Sequence, residues 1–152
     1  MNLLNLPQFE LKIKKQNEKE YIFDRLRKQY FRLTPEEYVR QHFINYLISY
    51  KHFPESLLAN EMQIGLGSVI KRCDTVLYDQ FLNPLMIIEY KSPKVTIKQN
   101  TFDQISRYNM KLQVPWLIIS NGLQHFCCKI DFNSGTSTFL NEIPDYSEIQ
   151  CF

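Results

Sequence analysis

Three residues of the chain have the types and spacing that phosphoryl chemistry uses. Asp74 lies in a strand-like run over 69–78, and Glu89 and Lys91 stand two apart at the end of a second run over 85–90. The segment between them, 79–84, has the loop chemistry of Asp79, Asn83 and Pro84. If that loop is symmetric about its centre, Tyr78 lies opposite Leu85, which sets Asp74 opposite Glu89 and Arg72 opposite Lys91. Side chains at 72, 74, 76 and 78 then share one face of their strand, as do those at 85, 87, 89 and 91, so all these charges fall together. Two carboxylates opposed between Val76, Leu77, Ile87 and Ile88 repel each other unless a cation joins them. Carboxylate oxygens with water suit Mg²⁺ or Mn²⁺, an ion that can bridge to a substrate phosphate. Lys91 would lie beside it, placed to orient a water or stabilise charge on a phosphorane-like transition state. An acid, a glutamate and a lysine on adjacent strands also make an ordinary surface charge lattice, but the apolar lead-in 85–88 favours an interior strand and metal chemistry.

These strands need neighbours to hold them. Residues 61–66 form another strand-like run, separated from 69–78 near Gly65 and Gly67, so the stretch reads as a meander. Ahead of it, Thr34-Pro35-Glu36-Glu37 is a helix start, with Thr34 as N-cap, Pro35 at the first helical position and Glu37 where a capping box needs its carboxylate. The helix is expected over 35–50, with Val39, Phe43, Tyr46, Leu47 and Tyr50 on one face and Gln41, Asn45 and Ile48 away from it. At about 100° per residue, Glu36 and Arg40 fall on the flank of the buried stripe and Glu37 points away. A second helix is expected over 100–112, with Phe102, Ile105, Asn109 and Leu112 on one side and Gln104 and Tyr108 stacked on its flank. Strands over 116–120 and 124–130 follow, joined by a turn at Asn121-Gly122. The order is α-β-β-β-α-β-β, an α/β (α+β) chain. Residues 9–13 and 21–24 are strand candidates in an N-terminal extension packed on the main fold.

Composition sets the bounds. With 152 residues, 44% hydrophobic and 22% charged, the chain has the material for one globular domain over 1–152 and no more. Eighteen Lys and Arg against sixteen Asp and Glu give a net charge of +2, so any polyanion site is a local patch. The apolar run 116–119 is strand-sized, and no membrane span is expected. Residues 1–13 lack the features of a secretory signal, so a cytoplasmic protein is expected. Cys73, Cys127, Cys128 and Cys151 have no CxxC spacing and read as reduced thiols. His125, two before Cys127, belongs to an alternating strand-like run and reads as packing rather than a metal ligand.

Three segments, 71–74, 87–93 and 103–109, together resemble the PD-(D/E)XK nuclease superfamily, and in particular the N-terminal nuclease domain of type I restriction enzyme R subunits. In that resemblance Asp74 matches the motif aspartate, Glu89 and Lys91 the E-x-K pair, and Gln104 with Tyr108 the Q-x-x-x-Y signature shared with RecB-like nucleases. Residues 34–41 and 118–122 also look like this family, and the likeness spans roughly 24–130. Cys73 stands where proline is common, a permissive position. The resemblance implies a restriction-endonuclease-like core over 34–130, with a mixed four- to five-stranded sheet flanked by helices in αβββαβ order. A short N-terminal extension (1–33) and a C-terminal tail (131–152) flank it. It also implies the backbone carbonyl of Tyr90 as a further metal ligand, Glu36 as an auxiliary acidic residue directed at the metal, and Gln104 and Tyr108 as contacts to the DNA backbone or to Lys91. No Walker A motif appears, so a stand-alone domain without the helicase motor is expected.

Arg72, Lys94 and Arg107, with Lys71, Lys98 and Lys111, lie among Tyr90, Phe102 and Tyr108 as a candidate phosphate-contacting patch. Arg25, Arg27, Lys28 and Arg32 form a second basic cluster, which either extends a DNA track or covers the N-terminal strands. The expected activity is Mg²⁺- or Mn²⁺-dependent hydrolysis of DNA phosphodiesters. The competing class is a non-catalytic DNA-binding or assembly subunit that keeps the nuclease fold. A phosphohydrolase of small nucleotides would need a Gly-rich phosphate loop, which is missing. Cutting both strands at once generally takes two copies of such a site, so a homodimer is expected, or assembly with a larger complex.

Overall fold

The structure, a computed structural model, describes residues 3–150. Helix α1 runs from Pro35–Tyr50 because Thr34 is extended and its Oγ1 accepts from the Glu37 N–H at 3.1 Å, a cap worth about 1 kcal/mol. After a single 3₁₀ turn at Glu55–Leu57, the meander appears as β4 (Leu58–Leu66), β5 (Val69–Tyr78) and β6 (Pro84–Tyr90), the numbering counting three earlier strands described below. Helix α2 (Gln99–Leu112) then crosses over to β7 (Trp116–Ser120), which pairs with β6 in parallel. Antiparallel β8 (His125–Asp131) and β9 (Thr136–Leu140) complete a six-stranded mixed sheet in the order β4-β5-β6-β7-β8-β9, and a short α3 (Tyr146–Gln150) ends the described chain.

Strands β6 and β7 occupy the middle and are buried almost end to end, as apolar strands covered on both faces must be. On one face, Leu77, Met86, Ile88, Tyr90 and Ile118 pack against Val39, Phe43 and Leu47 of α1. On the other, Leu112 of α2 packs with Cys73, Val76 and Ile87, while Phe102 and Ile105 pack with Leu117 and Ile119.

Several expectations change. The alternating stretch 9–13 is not a strand; β1 is Ile13–Gln16, β2 Lys19–Asp24 and β3 Gln29–Arg32, a separate antiparallel sheet. Turn chemistry outweighs the apolar alternation there. Asn17 and Glu18, with φ of 52° and 62°, make the two-residue turn that fixes the hairpin, with Gln16 opposite Lys19. The residues expected as a C-terminal tail include β9 and α3, so the sheet has six strands rather than four or five. Along α1, Gln41 is buried and Tyr50 exposed, the reverse of the expected wheel, because Gln41 turns its Oε1 to the Arg25 N–H at the end of the N-terminal sheet.

Candidate active site

The ladder between β5 and β6 runs from Leu77 opposite Met86 to Thr75 opposite Ile88 and stops there. The expected register holds over this stretch, with one irregularity at Tyr78, which faces Pro84. Continued by one residue it brings Asp74 opposite Glu89, where the strands fork: Asp74 Oδ2 accepts from the Tyr90 N–H at 2.9 Å, a side chain taking the place of a ladder partner. The other edge of β6 stays anchored to β7, with the Lys91 N–H donating to the Ser120 carbonyl at 2.8 Å.

The single shared face does not form. Glu61, next to Asp74 across the β4–β5 ladder, has a left-handed φ of 58°, and pairing skips from Asn60–Thr75 to Met62–Cys73. A non-glycine residue in this conformation inside a strand marks local strain and re-aims its neighbours. Thr75 thus reaches the Tyr90 hydroxyl on the α1 side, while Cys73 and Val76, three apart, share the α2-side core. Asp74 leans toward α1 and Glu89 toward α2.

On the α1 side one guanidinium gathers the acids. Arg40, only 5% exposed, places Nη2 at 2.6 Å from Glu61, 3.5 Å from Glu37 and 3.9 Å from Asp74. Burial works against its charge, but Glu37, Glu61, Tyr90 and Asp74 outweigh burial and hold it above the ordinary arginine pKa. Burial likewise raises the Glu61 carboxyl, and the hydrogen bonds from Arg40 and Arg72 overcome this to hold it below its ordinary value. Beneath lies a buried chain in which Tyr90 Oη donates to Thr75, Thr75 to Asn60, and Asn60 to Asp24. Asp24 is fully buried; burial pushes its carboxyl up, but Arg27 and Asn60 hold it below the usual range.

On the α2 side, Glu89 is 8% exposed and ion-paired with Lys71. Burial, together with the charge of Lys91, keeps the Lys71 ammonium below its ordinary pKa against the pull of Cys73 and Asp74. The Lys71 Nζ stands 5.9 Å from the Tyr108 ring of α2, so this helix flank rims the site.

The expected residues therefore separate into groups. Asp74, Glu89, Tyr90 and Lys91 lie level at the fork, but Asp74 bonds the Tyr90 N–H on the α1 side while Glu89 pairs with Lys71 on the α2 side, where Tyr108 stands beside Lys71. Gln104 is exposed one helical turn before Tyr108, and Lys94 and Arg107 are exposed on the surface. Arg72 is exposed and bonded to Glu61 at 2.7 Å. Glu36 is exposed on α1, and Glu37 turns inward to Arg40 and Arg27, the opposite of the expected wheel. The reason is that Arg27, at the end of the N-terminal sheet, pulls Glu37 in at 2.8 Å. The roles of Arg40 and Glu61 were not singled out by sequence, and Lys71, expected as a phosphate contact, is paired with Glu89. Arg40, four residues from Glu36 on the same flank, was the one signal pointing there.

Among the described residues, no group of three or more His, Cys, Asp or Glu side chains is assembled as a metal cage. Asp74 and Glu89 are hard oxygen donors of the type that Mg²⁺ or Mn²⁺ takes, and in this structure each faces a cation instead, Asp74 near Arg40 and Glu89 on Lys71. Cys73, Cys127 and Cys128 are buried free thiols, and Cys151 lies outside the described residues. His125 contacts Ser120 Oγ at 2.7 Å and the Asn5 carbonyl at 2.8 Å. No helix among the described residues is long and apolar enough to cross a membrane.

A mixed sheet forked at an aspartate, with E-x-K on the next strand and a crossover helix at its rim, defines a restriction-endonuclease-like fold. The family model for the type I restriction enzyme R protein N terminus matches residues 35–144, and the chain belongs to that family. The fold is similar to the fragment structure of a putative HsdR subunit of a type I restriction enzyme from Vibrio vulnificus YJ016, with a TM-score of 0.53 and 18% identity. The match covers 77% of this chain and 24% of that one, so the chain spans about a quarter of the solved relative. No curated protein matches the chain.

Proposed function

We propose that this domain hydrolyses DNA phosphodiester bonds with Mg²⁺ or Mn²⁺, the observation that supports it most being the fork that sets Asp74 and Glu89 on adjacent strands with Lys91 two residues on. Asp74 and Glu89 would hold the ion, with the Tyr90 carbonyl as a further ligand. The ion would supply Lewis-acid stabilisation of charge on the phosphate. Lys91, its backbone pinned to Ser120, would bring its ammonium to the fork to orient the attacking water. The Tyr90 N–H bond fixes Asp74 Oδ2 and leaves Oδ1, 3.9 Å from Arg40 Nη2, as the oxygen that would meet the ion. The auxiliary acid on α1 is reassigned from Glu36 to Glu37, the one that faces inward. Tyr108 and Gln104 line the path of the substrate strand, with Arg72, Lys94 and Arg107 meeting its phosphates. The core over 34–130 would act as one nuclease domain within a larger restriction complex.

The Lys71–Glu89 pair favours a second reading, a non-catalytic DNA-binding or assembly module in which an internal cation stands where the metal would. Plasmid and single-stranded DNA incubated with Mg²⁺ or Mn²⁺ decide between them. The expected result is metal-dependent cleavage by the parent, lost in Asp74→Asn and reduced about 10²–10⁴-fold in Lys91→Ala. Equal cleavage by the parent and both folded variants would sink the site assignment. Salt-dependent DNA binding without cleavage, indifferent to metal and to Lys91, would favour the module.

A further inference from the structure

The three-stranded N-terminal sheet lies ahead of the residues matched by the family, which begin at 35. Its two faces differ. The inner face carries Ile22 and Asp24, both fully buried. On the outer face, cross-strand pairing lines up Lys14, Tyr21 and Arg32 in one row. The next row holds Lys12, Phe23 and Tyr30, joined by Phe23 opposite Tyr30 and by the Phe23 N–H on the Lys12 carbonyl at 2.9 Å. Strand positions on this face hold no carboxylate. Phe23 and Tyr30 meet edge to face at 5.3 Å, and Lys12 Nζ lies over the Phe23 ring at 5.2 Å and Lys14 Nζ over the Tyr30 ring at 4.2 Å, exposed side chains that a stacking base would displace toward its phosphates; Tyr30 is 37% exposed. The basic residues of the following loop are spent elsewhere: Arg25 and Lys28 pair with Glu55, and Arg27 with Asp24 and Glu37.

We propose that this outer face is a binding platform for single-stranded DNA. Cations alone would suit any polyanion, but rings set between them add a surface on which unpaired bases stack, and a duplex hides its base faces. An acidic peptide would use the cations and leave the rings idle. The sheet is fixed to the core through its inner side, where Asp24 bonds Asn60 and Arg27 of the β2–β3 turn bonds Glu37, so the platform is held rigidly on the domain that carries the fork. This rests on the reading of the domain as one that acts on DNA, but not on metal chemistry.

The test is fluorescence anisotropy of a labelled oligothymidine with the full chain in EDTA, across a salt series. Tyr30→Ala should weaken binding about tenfold or more, and Tyr30→Phe should restore it. The double variant Lys12→Gln/Lys14→Gln, exposed and safe for folding, should lower the salt slope by about 1.4. Binding lost with the lysines but unchanged in Tyr30→Ala would overturn the stacking platform, as would no binding by the parent or equal binding by all variants. Because EDTA removes the metal, failure here leaves metal-dependent cleavage untouched, and failure of cleavage leaves this binding intact.

Discussion

On the α1 side of the fork one guanidinium, Arg40, serves three carboxylates, Glu37, Glu61 and Asp74, all within 4 Å. On the α2 side one carboxylate, Glu89, is bonded to Lys71, which also feels the charge of Lys91. The first cluster is balanced, since Arg27 and Arg72 also bond Glu37 and Glu61, and it closes around a buried cation; the second has two lysines to one carboxylate and opens toward the half-exposed Tyr108. On the proposed function, phosphates would be drawn to the second. The first sets the geometry of Asp74, so its failure should appear as loss of fold, and failure of the second as altered ligand binding.

The largest expected effect is that of Arg40→Met. Methionine fills the space without charge and removes the buried cation shared by Glu37, Glu61 and Asp74, leaving Glu37 to Arg27 and Glu61 to Arg72, at a cost of about 3 kcal/mol. For a chain of this size that lowers Tm by on the order of 10 °C. Thermal unfolding followed by circular dichroism checks it, and a fall of only a degree or two would mean that the α1-side cluster does not support the fold.

This cluster also shows what could be read from sequence and what could not. Helix α1 was legible to the residue because capping is local: Thr34, Pro35 and Glu37 decide it without distant partners. The β5–β6 register was legible over Thr75–Leu77 from the apolar runs on both strands, although the loop itself is not symmetric and sets Tyr78 opposite Pro84; it brings Asp74 and Glu89 level on adjacent strands but not onto one face. What failed was the side to which charges turn. Glu36 and Glu37 were exchanged because hydropathy places one apolar stripe on α1, whereas the N-terminal sheet covers a second side through Arg27 and Arg25, and polar Arg40 and Gln41 are buried there. The common face over 72–78 failed at Glu61, whose left-handed backbone no propensity announces. The family resemblance named the residues at the fork and included Lys71 only in its first segment, without the pairing with Glu89.

Lys71→Met tests the other cluster. The ammonium on Glu89 occupies the charge that a divalent ion would take, so removing it should tighten Mg²⁺ or Mn²⁺ binding about tenfold. Calorimetric titration of parent and variant, with Asp74→Asn as reference, reads this directly. Weaker binding in Lys71→Met would mean that Lys71 positions Glu89 for the metal, and the two clusters would then both be architectural.

The smallest effect is expected at Arg72, whose side chain is 65% exposed although it bonds Glu61 at 2.7 Å. Arg72→Ala should cost no more than about 1 kcal/mol, since exposed pairs are worth little and Arg40 still holds Glu61. The pH dependence fixes the sign. Burial raises the Glu61 carboxyl, the hydrogen bonds from Arg40 and Arg72 lower it further than burial raises it, and its folded pKa lies below the ordinary glutamate value. That stabilisation is present above the ordinary glutamate range and fades as pH falls through the folded pKa, so the gap between parent and Arg72→Ala should exist at neutral pH and close in acid. Denaturant unfolding at a series of pH values measures it. If Arg72 leaves Glu61 for a DNA phosphate, the same variant should reduce the salt slope of duplex binding by about 0.9. A slope that stays constant while the stability gap behaves as expected would make Arg72 a purely structural member of the α1-side cluster, and would move the DNA path wholly to the Lys71 and Lys91 side.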